Sequence, residues 1–158
     1  MAVPLPVDRQ LCFAVYSAAH ALNRVYKPLL DPLGLTYPQY LVLLTLWGQD
    51  DVTVKHLGAQ LFLDSGTLTP LLKRMEAAGL VERKRDPRDE RQVRIRLTDA
   101  GRALQAQAGE VQASLMCATG REAAELERLR DDLAALRDTL LGLETAVAAS
   151  APPDGDDG

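Results

Sequence analysis

The fold is decided by residues 64–97, which read DSGTLTPLLKRMEAAGLVERKRDPRDERQVRIRL. The first part has the capping residues and apolar spacing of a helix over residues 65–78, which Gly79 ends. Two runs with strand character follow, at residues 80–84 and 92–97. The stretch therefore predicts one helix followed by a β-hairpin.

Two shorter helices are predicted just before this stretch. Thr36 with Gln39 three residues later forms a capping box for a helix that runs to about Trp47. Thr53 caps a short helix over residues 54–61. Three helices and a hairpin in this order are the layout of a winged helix-turn-helix, so we expect a mainly α fold with a small β-hairpin.

The helix after the turn of such a unit enters the major groove of DNA. Hydroxyls at its leading end, on Ser65, Thr67 and Thr69, have the right length for base edges or phosphates. Lys73 and Arg74 lie further along, where the phosphate backbone passes. The alternative is that the hydroxyls only cap the helix, since Ser and Thr favour helix starts.

The hairpin places cations at its tip. Arg88 and Arg91 are predicted to reach a minor groove, and Asp89 is close enough in sequence to orient one of them through a bidentate pair. In the second strand Arg94 and Arg96 alternate with apolar residues, which predicts a basic outer face. A plain role in solubility is the alternative for these charges.

Charge is unevenly distributed along the 158 residues. The net charge is −4, yet residues 73–96 contain nine Lys and Arg against five Asp and Glu. Residues 120–158 reverse the balance, with four Arg against ten Asp and Glu. A basic middle and an acidic end indicate that one part of the surface meets a polyanion.

Long amphipathic helices flank the central module. The first is predicted from about Asp8 to Leu30, where Pro28 and Pro32 close it. After Thr98 a long helix is predicted through about Cys117, and another from residue 122 to 147. The last helix has an apolar seam with steps of three and four residues, made of Leu126, Leu129, Leu133, Leu136, Leu140, Leu143 and Val147.

These seams exceed what a small central unit can cover, so we expect a homodimer built from both chain ends. Residues 1–35 and 99–149 form the dimerisation region in this interpretation, and residues 36–98 form the DNA-binding region. Residues 150–158 are rich in Pro, Gly and Asp and are expected to be a disordered acidic tail. The alternative is that the long helices pack on their own chain.

Residues 63–76, followed by Gly79-Leu80-Val81 and Asp89-Glu90-Arg91, resemble the MarR family of dimeric transcription regulators. The resemblance extends over roughly residues 11–117. It implies a winged helix-turn-helix homodimer that binds a pseudo-palindromic operator in double-stranded DNA.

Cys12 lies in an aromatic-rich part of the chain. Tyr16 shares its helix face four residues later, whereas Tyr26, 14 residues on, is about 21 Å away along the axis. A hydroxyl at Tyr26 cannot reach the sulfur of its own chain, but it could reach that of a partner whose first helix runs antiparallel. Tyr37, at the start of the second helix, is expected to lie near Tyr26. Hydroxyl donors aimed at a sulfur favour the thiolate, which is the form that peroxides oxidise.

This arrangement resembles the organic hydroperoxide resistance regulators with two cysteines within the MarR family. The resemblance implies that Cys12 is the peroxide-reactive cysteine and that Tyr26 and Tyr37 are its hydrogen-bonding tyrosines. It further implies that Cys117 resolves the sulfenate as an inter-subunit disulfide. The reduced dimer is then expected to repress, and an organic hydroperoxide to act as inducer by releasing the DNA.

Two other functions remain open from the sequence. A MarR-type repressor can be released by a small phenolic or anionic ligand, and a thiol peroxidase can use Cys12 and Cys117 for turnover. We expect no enzyme, because a peroxidase leaves the basic hairpin unexplained. We also expect no metal or cofactor site, no membrane contact and a cytoplasmic location, since the start of the chain lacks an unbroken apolar stretch.

Overall fold

The computed structural model describes residues 4–150, with side chains up to residue 145. A short 3-10 helix, Val7–Arg9, precedes the main elements. In chain order they are α1 (Leu11–Leu30), α2 (Tyr37–Gly48), β1 (Val52–Thr53), α3 (Val54–Leu61), α4 (Ser65–Ala77), β2 (Val81–Arg85), β3 (Val93–Leu97), α5 (Asp99–Thr119) and α6 (Ala123–Ser150). The expectation of a mainly α fold with a small β-hairpin is confirmed.

The first helix ends at Leu30 as predicted, but its start and the role of Pro28 differ from the prediction. It begins at Leu11 instead of near Asp8, because Gln10 has an extended backbone that separates α1 from the 3-10 helix. Pro28 does not close the helix but lies within its last turn. Proline there removes a single helical hydrogen bond, and the chain continues through Leu30 into a second 3-10 helix, Asp31–Leu33.

The three helices of the central module begin where their caps predict. Thr36 donates its backbone N–H to Gln39 Oε1 at 2.9 Å, and Thr53 Oγ1 accepts from the N–H of His56 at 3.1 Å. Gly58 allows α3 and α4 to come close, since a Cβ there would lie 2.8 Å from the carbonyl oxygen of Leu63. These local signals set the geometry of the helix-turn-helix.

The hairpin belongs to a three-stranded antiparallel sheet in the order β1-β3-β2. The sequence predicted β2 and β3, which pair from Val81 opposite Leu97 to Arg85 opposite Val93. It missed β1, whose two residues pair with Ile95 and Arg94 of the middle strand. The expected basic outer face is wrong in one respect, because Arg94 is half-buried and ion-paired to Asp51 and Asp86.

The core lies between α2, α3, α4 and the sheet, and it includes the end of α1. Its most enclosed side chains are Leu30, Tyr40, Val42, Leu43, Leu46, Leu57, Leu68, Leu72, Met75, Val81 and Ile95. The start of α5 is attached to this core by Trp47, whose Nε1 donates to the carbonyl oxygen of Gly101 at 2.9 Å. The core therefore fixes the position of α4 relative to the hairpin.

The chain forms two compact units that divide between Leu115 and Met116, within α5. The second unit contains the end of α5 and the helix α6, which begins at Ala123 and not at residue 122. No helix of residues 4–150 is both long and apolar enough to cross a membrane. The side chain of Val147 and residues 151–158 of the expected acidic tail lie outside the described part of the chain.

Candidate nucleic-acid interface and thiol site

The leading end of α4 presents an exposed polar surface. Asp64 caps the helix, with Oδ1 accepting from the N–H of Thr67 at 2.8 Å and Oδ2 from Thr67 Oγ1 at 3.3 Å. That backbone N–H is the main reason why the pKa of Asp64 is lowered. Ser65 and Thr67 are exposed, whereas Thr69 is half-buried. The cap is thus Asp64 and not one of the hydroxyls, and Thr67 Oγ1 donates to that cap.

Lys73 and Arg74, one turn beyond Thr69, are both exposed. Between them and the core, Leu71, Leu72 and Met75 are buried, which fixes the orientation of the helix. The two cations therefore lie on the solvent side of α4.

The hairpin tip holds an exposed arginine in a defined pose. Arg91 donates Nε to Asp89 Oδ1 at 3.0 Å and Nη2 to Oδ2 at 3.3 Å, which is the pairing that the sequence predicted. Its side chain is nevertheless 90% exposed. The hydrogen bonds from Arg91 and then Gln92 lower the pKa of Asp89. Arg88 is also exposed, so both tip arginines face solvent.

A groove of about 410 Å³ separates α4 from the hairpin. It is lined by Thr69 on α4, by Lys55 near the start of α3, and by Arg83 and Arg91 on the hairpin. Arg83 Nε is enclosed and has no hydrogen-bond partner within the described chain. Arg83 Nη1 is also paired with Glu76 Oε2 at 3.4 Å, so two of the three cations already have a carboxylate partner. A groove lined by these cations is suited to a strand of phosphates.

A cluster of phenols lies where α1 meets α2. The ring of Tyr26 is 4.5 Å from that of Tyr37 and 6.0 Å from that of Tyr40, centroid to centroid. Burial, with a smaller contribution from the two neighbouring phenols, raises the pKa of Tyr26 to about 12. Burial also raises the pKa of Tyr37. The structure therefore brings the two predicted sensor tyrosines together and keeps them protonated as hydroxyl donors at neutral pH.

The two cysteines are free and exposed. Cys12 is the second residue of α1, so its own Tyr26 lies about 21 Å further along the same helix. Tyr16 and His20 follow Cys12 on that face, with ring centroids 4.4 Å apart. Cys117 lies near the end of α5, in the second unit. A single chain thus supplies the thiol and the phenol cluster at opposite ends of one helix.

A cleft of about 460 Å³ opens beside Tyr37, between the end of α1 and the start of α2. Leu30 and Leu35 give it an apolar wall, and Lys27, ion-paired to Asp31 at 2.9 Å, lies at its edge. Among the described residues no group of three or more His, Cys, Asp or Glu is arranged to hold a metal ion.

Comparison with known proteins decides the family. The family model for the transcriptional regulator SarA/Rot matches residues 24–107, just over half of the chain. The organic hydroperoxide resistance transcriptional regulator of Bacillus subtilis is 46% identical over 136 residues, which are 86% of this chain and 92% of that protein. The chain belongs to the SarA/Rot and MarR type of transcriptional regulators. It is therefore a DNA-binding regulator with a winged helix-turn-helix.

Other relatives of this regulator are also named as transcriptional regulators or are known bound to DNA. The HTH-type transcriptional regulator TtmR of Methylorubrum extorquens is 55% identical over 137 residues, 87% of this chain and 70% of that protein. Reduced AbfR bound to DNA has a TM-score of 0.75 and 38% identity, covering 87% of this chain and 94% of that one. AbfR, from Staphylococcus epidermidis, is also known in a disulfide form, with a TM-score of 0.60, 37% identity, and 88% and 92% coverage.

Sequence reasoning missed the acidic partners of the hairpin. Asp51 and Asp86 hold Arg94, although 43 residues separate Asp51 from that arginine. The Asp86-Pro87 pair gave a turn signal and no indication of an ion pair. Only the position of Arg94 in the middle strand, next to β1, brings the three side chains together.

Proposed function

We propose that two copies of this chain form a repressor that binds a pseudo-palindromic operator in duplex DNA. Each α4 enters a major groove with Ser65, Thr67 and Thr69 at base edges or phosphates, and Lys73 and Arg74 follow the backbone. Arg88 and Arg91, with Asp89 orienting the latter, reach the neighbouring minor groove. The observation that supports this best is the exposed, cation-lined groove between α4 and the hairpin, in a chain that resembles DNA-bound AbfR.

Exposed apolar side chains support the second copy. In the first unit α1 leaves Leu11, Val15, Leu22 and Val25 between 39% and 61% exposed. In the second unit α6 does the same with Leu129, Leu133, Leu140 and Leu143, at 42–56%. Leucines at this spacing are stabilised by packing against another helix, so we assign residues 1–35 and 99–149 to a dimer interface.

We assign the sensing of organic hydroperoxides to Cys12. Its thiolate attacks the outer oxygen of the hydroperoxide, so the O–O bond breaks, the sulfur becomes a sulfenic acid, and an alcohol leaves with a proton from solvent. The thiol of Cys117 in the other subunit then attacks that sulfur, forming the disulfide and releasing water. Tyr26 and Tyr37 of the partner donate hydrogen bonds that favour the thiolate.

Three observations support this chemistry. The Bacillus relative is named for organic hydroperoxide resistance, and AbfR is known both reduced on DNA and with a disulfide. Cys12 is exposed in the single chain, so it is open to a partner and to a peroxide. The phenol rings make a largely apolar surface that carries hydroxyl donors, which suits an alkyl hydroperoxide better than hydrogen peroxide.

Release requires that oxidation favour a dimer in which the two α4 helices no longer match groove positions about 34 Å apart. A shift from mostly bound to mostly free takes several kcal/mol, about 5.5 for a change from 99:1 to 1:99. A covalent bond between the subunits can supply that energy through the strain that it imposes.

The test is DNA binding, measured by fluorescence anisotropy on the DNA upstream of the protein's own gene, with and without cumene hydroperoxide. Wild-type protein binds when reduced and is released by the peroxide, whereas Cys12→Ser binds and ignores it. The matched control, Cys117→Ser, keeps a reactive Cys12 but forms no SDS-stable dimer on a non-reducing gel. Release of the Cys12→Ser variant by peroxide would assign the sensor to another residue.

The cleft beside Tyr37 favours a second candidate, release by a small phenolic or anionic ligand, because it combines an apolar wall with polar groups of Thr36 and of the Lys27–Asp31 pair. Counting free thiols distinguishes the two mechanisms. Peroxide sensing consumes both cysteine thiols as DNA is released, whereas release by a ligand leaves both thiols free.

A further inference from the structure

Arg94 is an arginine of the hairpin whose nitrogens are all engaged by protein atoms. Nε donates to Asp51 Oδ1 at 2.9 Å, and Nη1 donates to Asp86 Oδ2 at 3.1 Å. Nη2 donates to the backbone carbonyl of Asp51. The side chain is 31% exposed, compared with 90% for Arg91. With three of its five N–H donors engaged and two carboxylates balancing its charge, this guanidinium is poorly suited to bind a phosphate.

The carboxylate of Asp86 connects Arg94 to the hairpin loop. Asp86 is buried, and its Oδ1 accepts the backbone N–H of Arg88 at 2.8 Å. Its own N–H donates to the carbonyl of Gln92 at 2.9 Å, which closes the loop that carries both tip arginines. The hydrogen bonds from Arg88 and then Arg94 lower the pKa of Asp86, so the carboxylate is charged at neutral pH. One carboxylate therefore holds the loop backbone with Oδ1 and the guanidinium of Arg94 with Oδ2.

The other end of the bridge is attached to the helix-turn-helix. Asp51 immediately precedes β1, and α3 begins directly after that strand. Its φ of +57° is in the left-handed region, which is uncommon for a non-glycine residue. Arg94 binds both the carboxylate and the carbonyl of this residue. One guanidinium thus connects the residue before α3, the middle strand and the hairpin loop.

We propose that Arg94 is a positioning residue for DNA binding, one that bridges Asp51 and Asp86 so that Arg88 and Arg91 reach the minor groove while α4 occupies the major groove. This inference rests on the proposed function, because it assumes that the hairpin contacts DNA. Arg94 itself does not contact the duplex. Its contribution is to hold the tip at a fixed distance from α4, and it acts entirely through the tip arginines.

The experiment is a double-mutant cycle on operator affinity, with wild type, Arg94→Gln, Arg91→Ala and the double variant. Each single substitution is expected to weaken binding by about 5- to 50-fold. Because Arg94 acts through Arg88 and Arg91, the double variant should lose several-fold less affinity than the product of the two single losses, and its loss beyond Arg91→Ala is the part that passes through Arg88. Losses that multiply would overturn the proposal, since they would mean that the two arginines act independently.

Two further variants separate positioning from charge. Arg94→Lys keeps the charge but loses the fork that spans two acids, so it should bind about as weakly as Arg94→Gln. Full affinity in this variant would indicate a simple phosphate contact and overturn the proposal. Arg96→Gln removes one charge two residues along the same strand and is the matched control, with affinity expected within about twofold of wild type.

Asp86→Asn covers the case in which Arg94→Gln does not fold. This substitution weakens the contact between Asp86 and Arg94 and keeps the contact between Arg94 and Asp51. Thermal unfolding shows whether the variant is folded. We expect the same coupling to Arg91→Ala, and a multiplicative loss would again contradict the inference. Failure of wild-type protein to bind any operator DNA would instead refute the proposed function.

Discussion

The substitution Tyr26→Phe should slow the oxidation of Cys12 without unfolding the protein. Tyr26 is 7% exposed and its ring packs 4.5 Å from that of Tyr37, and phenylalanine preserves both contacts. Only a hydroxyl is lost, so the free energy of unfolding should change by less than about 1 kcal/mol. The effect on oxidation should be larger, because the proposed acceptor of that hydroxyl is a charged sulfur.

A hydrogen bond to a charged group contributes about 1.5–3 kcal/mol, and each 1.4 kcal/mol is a factor of ten. We therefore expect the rate of Cys12 oxidation to fall by about 10- to 100-fold. The structure fixes the direction of this effect, since burial holds the pKa of Tyr26 at about 12 and the phenol is a donor at neutral pH. Its own Cys12 is too distant along α1 to receive the hydrogen bond, so the loss measures a contact between subunits.

The assay follows the sulfenic acid by mass spectrometry after mixing with cumene hydroperoxide, in the Cys117→Ser background so that the reaction stops there. Tyr40→Phe is the matched control, because it removes a buried phenol of the same cluster that has no proposed role in sensing. A rate for Tyr26→Phe within twofold of the parent would refute the reasoning. So would an equal loss in Tyr40→Phe.

Three other outcomes are expected. Arg91→Ala should weaken operator binding by about 5- to 50-fold and lower the slope of log affinity against log salt by about one. An affinity equal to that of wild type in anisotropy titrations would mean that the hairpin does not contact the DNA. Gly101→Ala should lower the free energy of unfolding in urea by about 1–3 kcal/mol or more, since the new Cβ would lie 2.2 Å from the carbonyl oxygen of Leu80; a wild-type midpoint would contradict this. The pKa of Tyr26 is raised in the folded state, so its contribution to stability is present below pH 10 and is lost as the pH rises towards 12. Alkaline unfolding should therefore show that Tyr26→Phe loses less stability than wild type between pH 10 and pH 12.

The helix boundaries that could be predicted are those with local causes. Caps at Thr36, Thr53 and Asp64 depend on hydrogen bonds three residues apart, and the sequence alone contains that information. Pro28 lies inside α1 and does not end it, because a proline in the last turn removes only one helical hydrogen bond. Strand β1 was missed because two residues carry no alternating pattern, and Ile95 pairs with Val52 only once the chain has folded.

The same distinction applies to the site. The pair of Asp89 and Arg91 was predictable because the two residues are neighbours on one loop. The bridge from Asp51 through Arg94 to Asp86 was not predictable, since the first contact joins residues 43 apart and no periodicity relates them. An alternating strand predicts which side chains face outward, but it does not show which of those are already paired.

The central claim is that Tyr26 of one subunit donates a hydrogen bond to Cys12 of the other. Mixed dimers test this claim most directly. One dimer combines a Cys12→Ser subunit with a Tyr26→Phe subunit, so that the remaining Cys12 faces an intact Tyr26 only if the contact is between subunits. The second dimer combines a wild-type subunit with one that carries both substitutions, so that the Cys12 of the wild-type subunit faces phenylalanine. All subunits contain Cys117→Ser, and sulfenic acid formation is measured in both dimers. We predict that Cys12 reacts at the parental rate in the first dimer and about 10- to 100-fold more slowly in the second. The reverse order, or equal rates, would contradict the account.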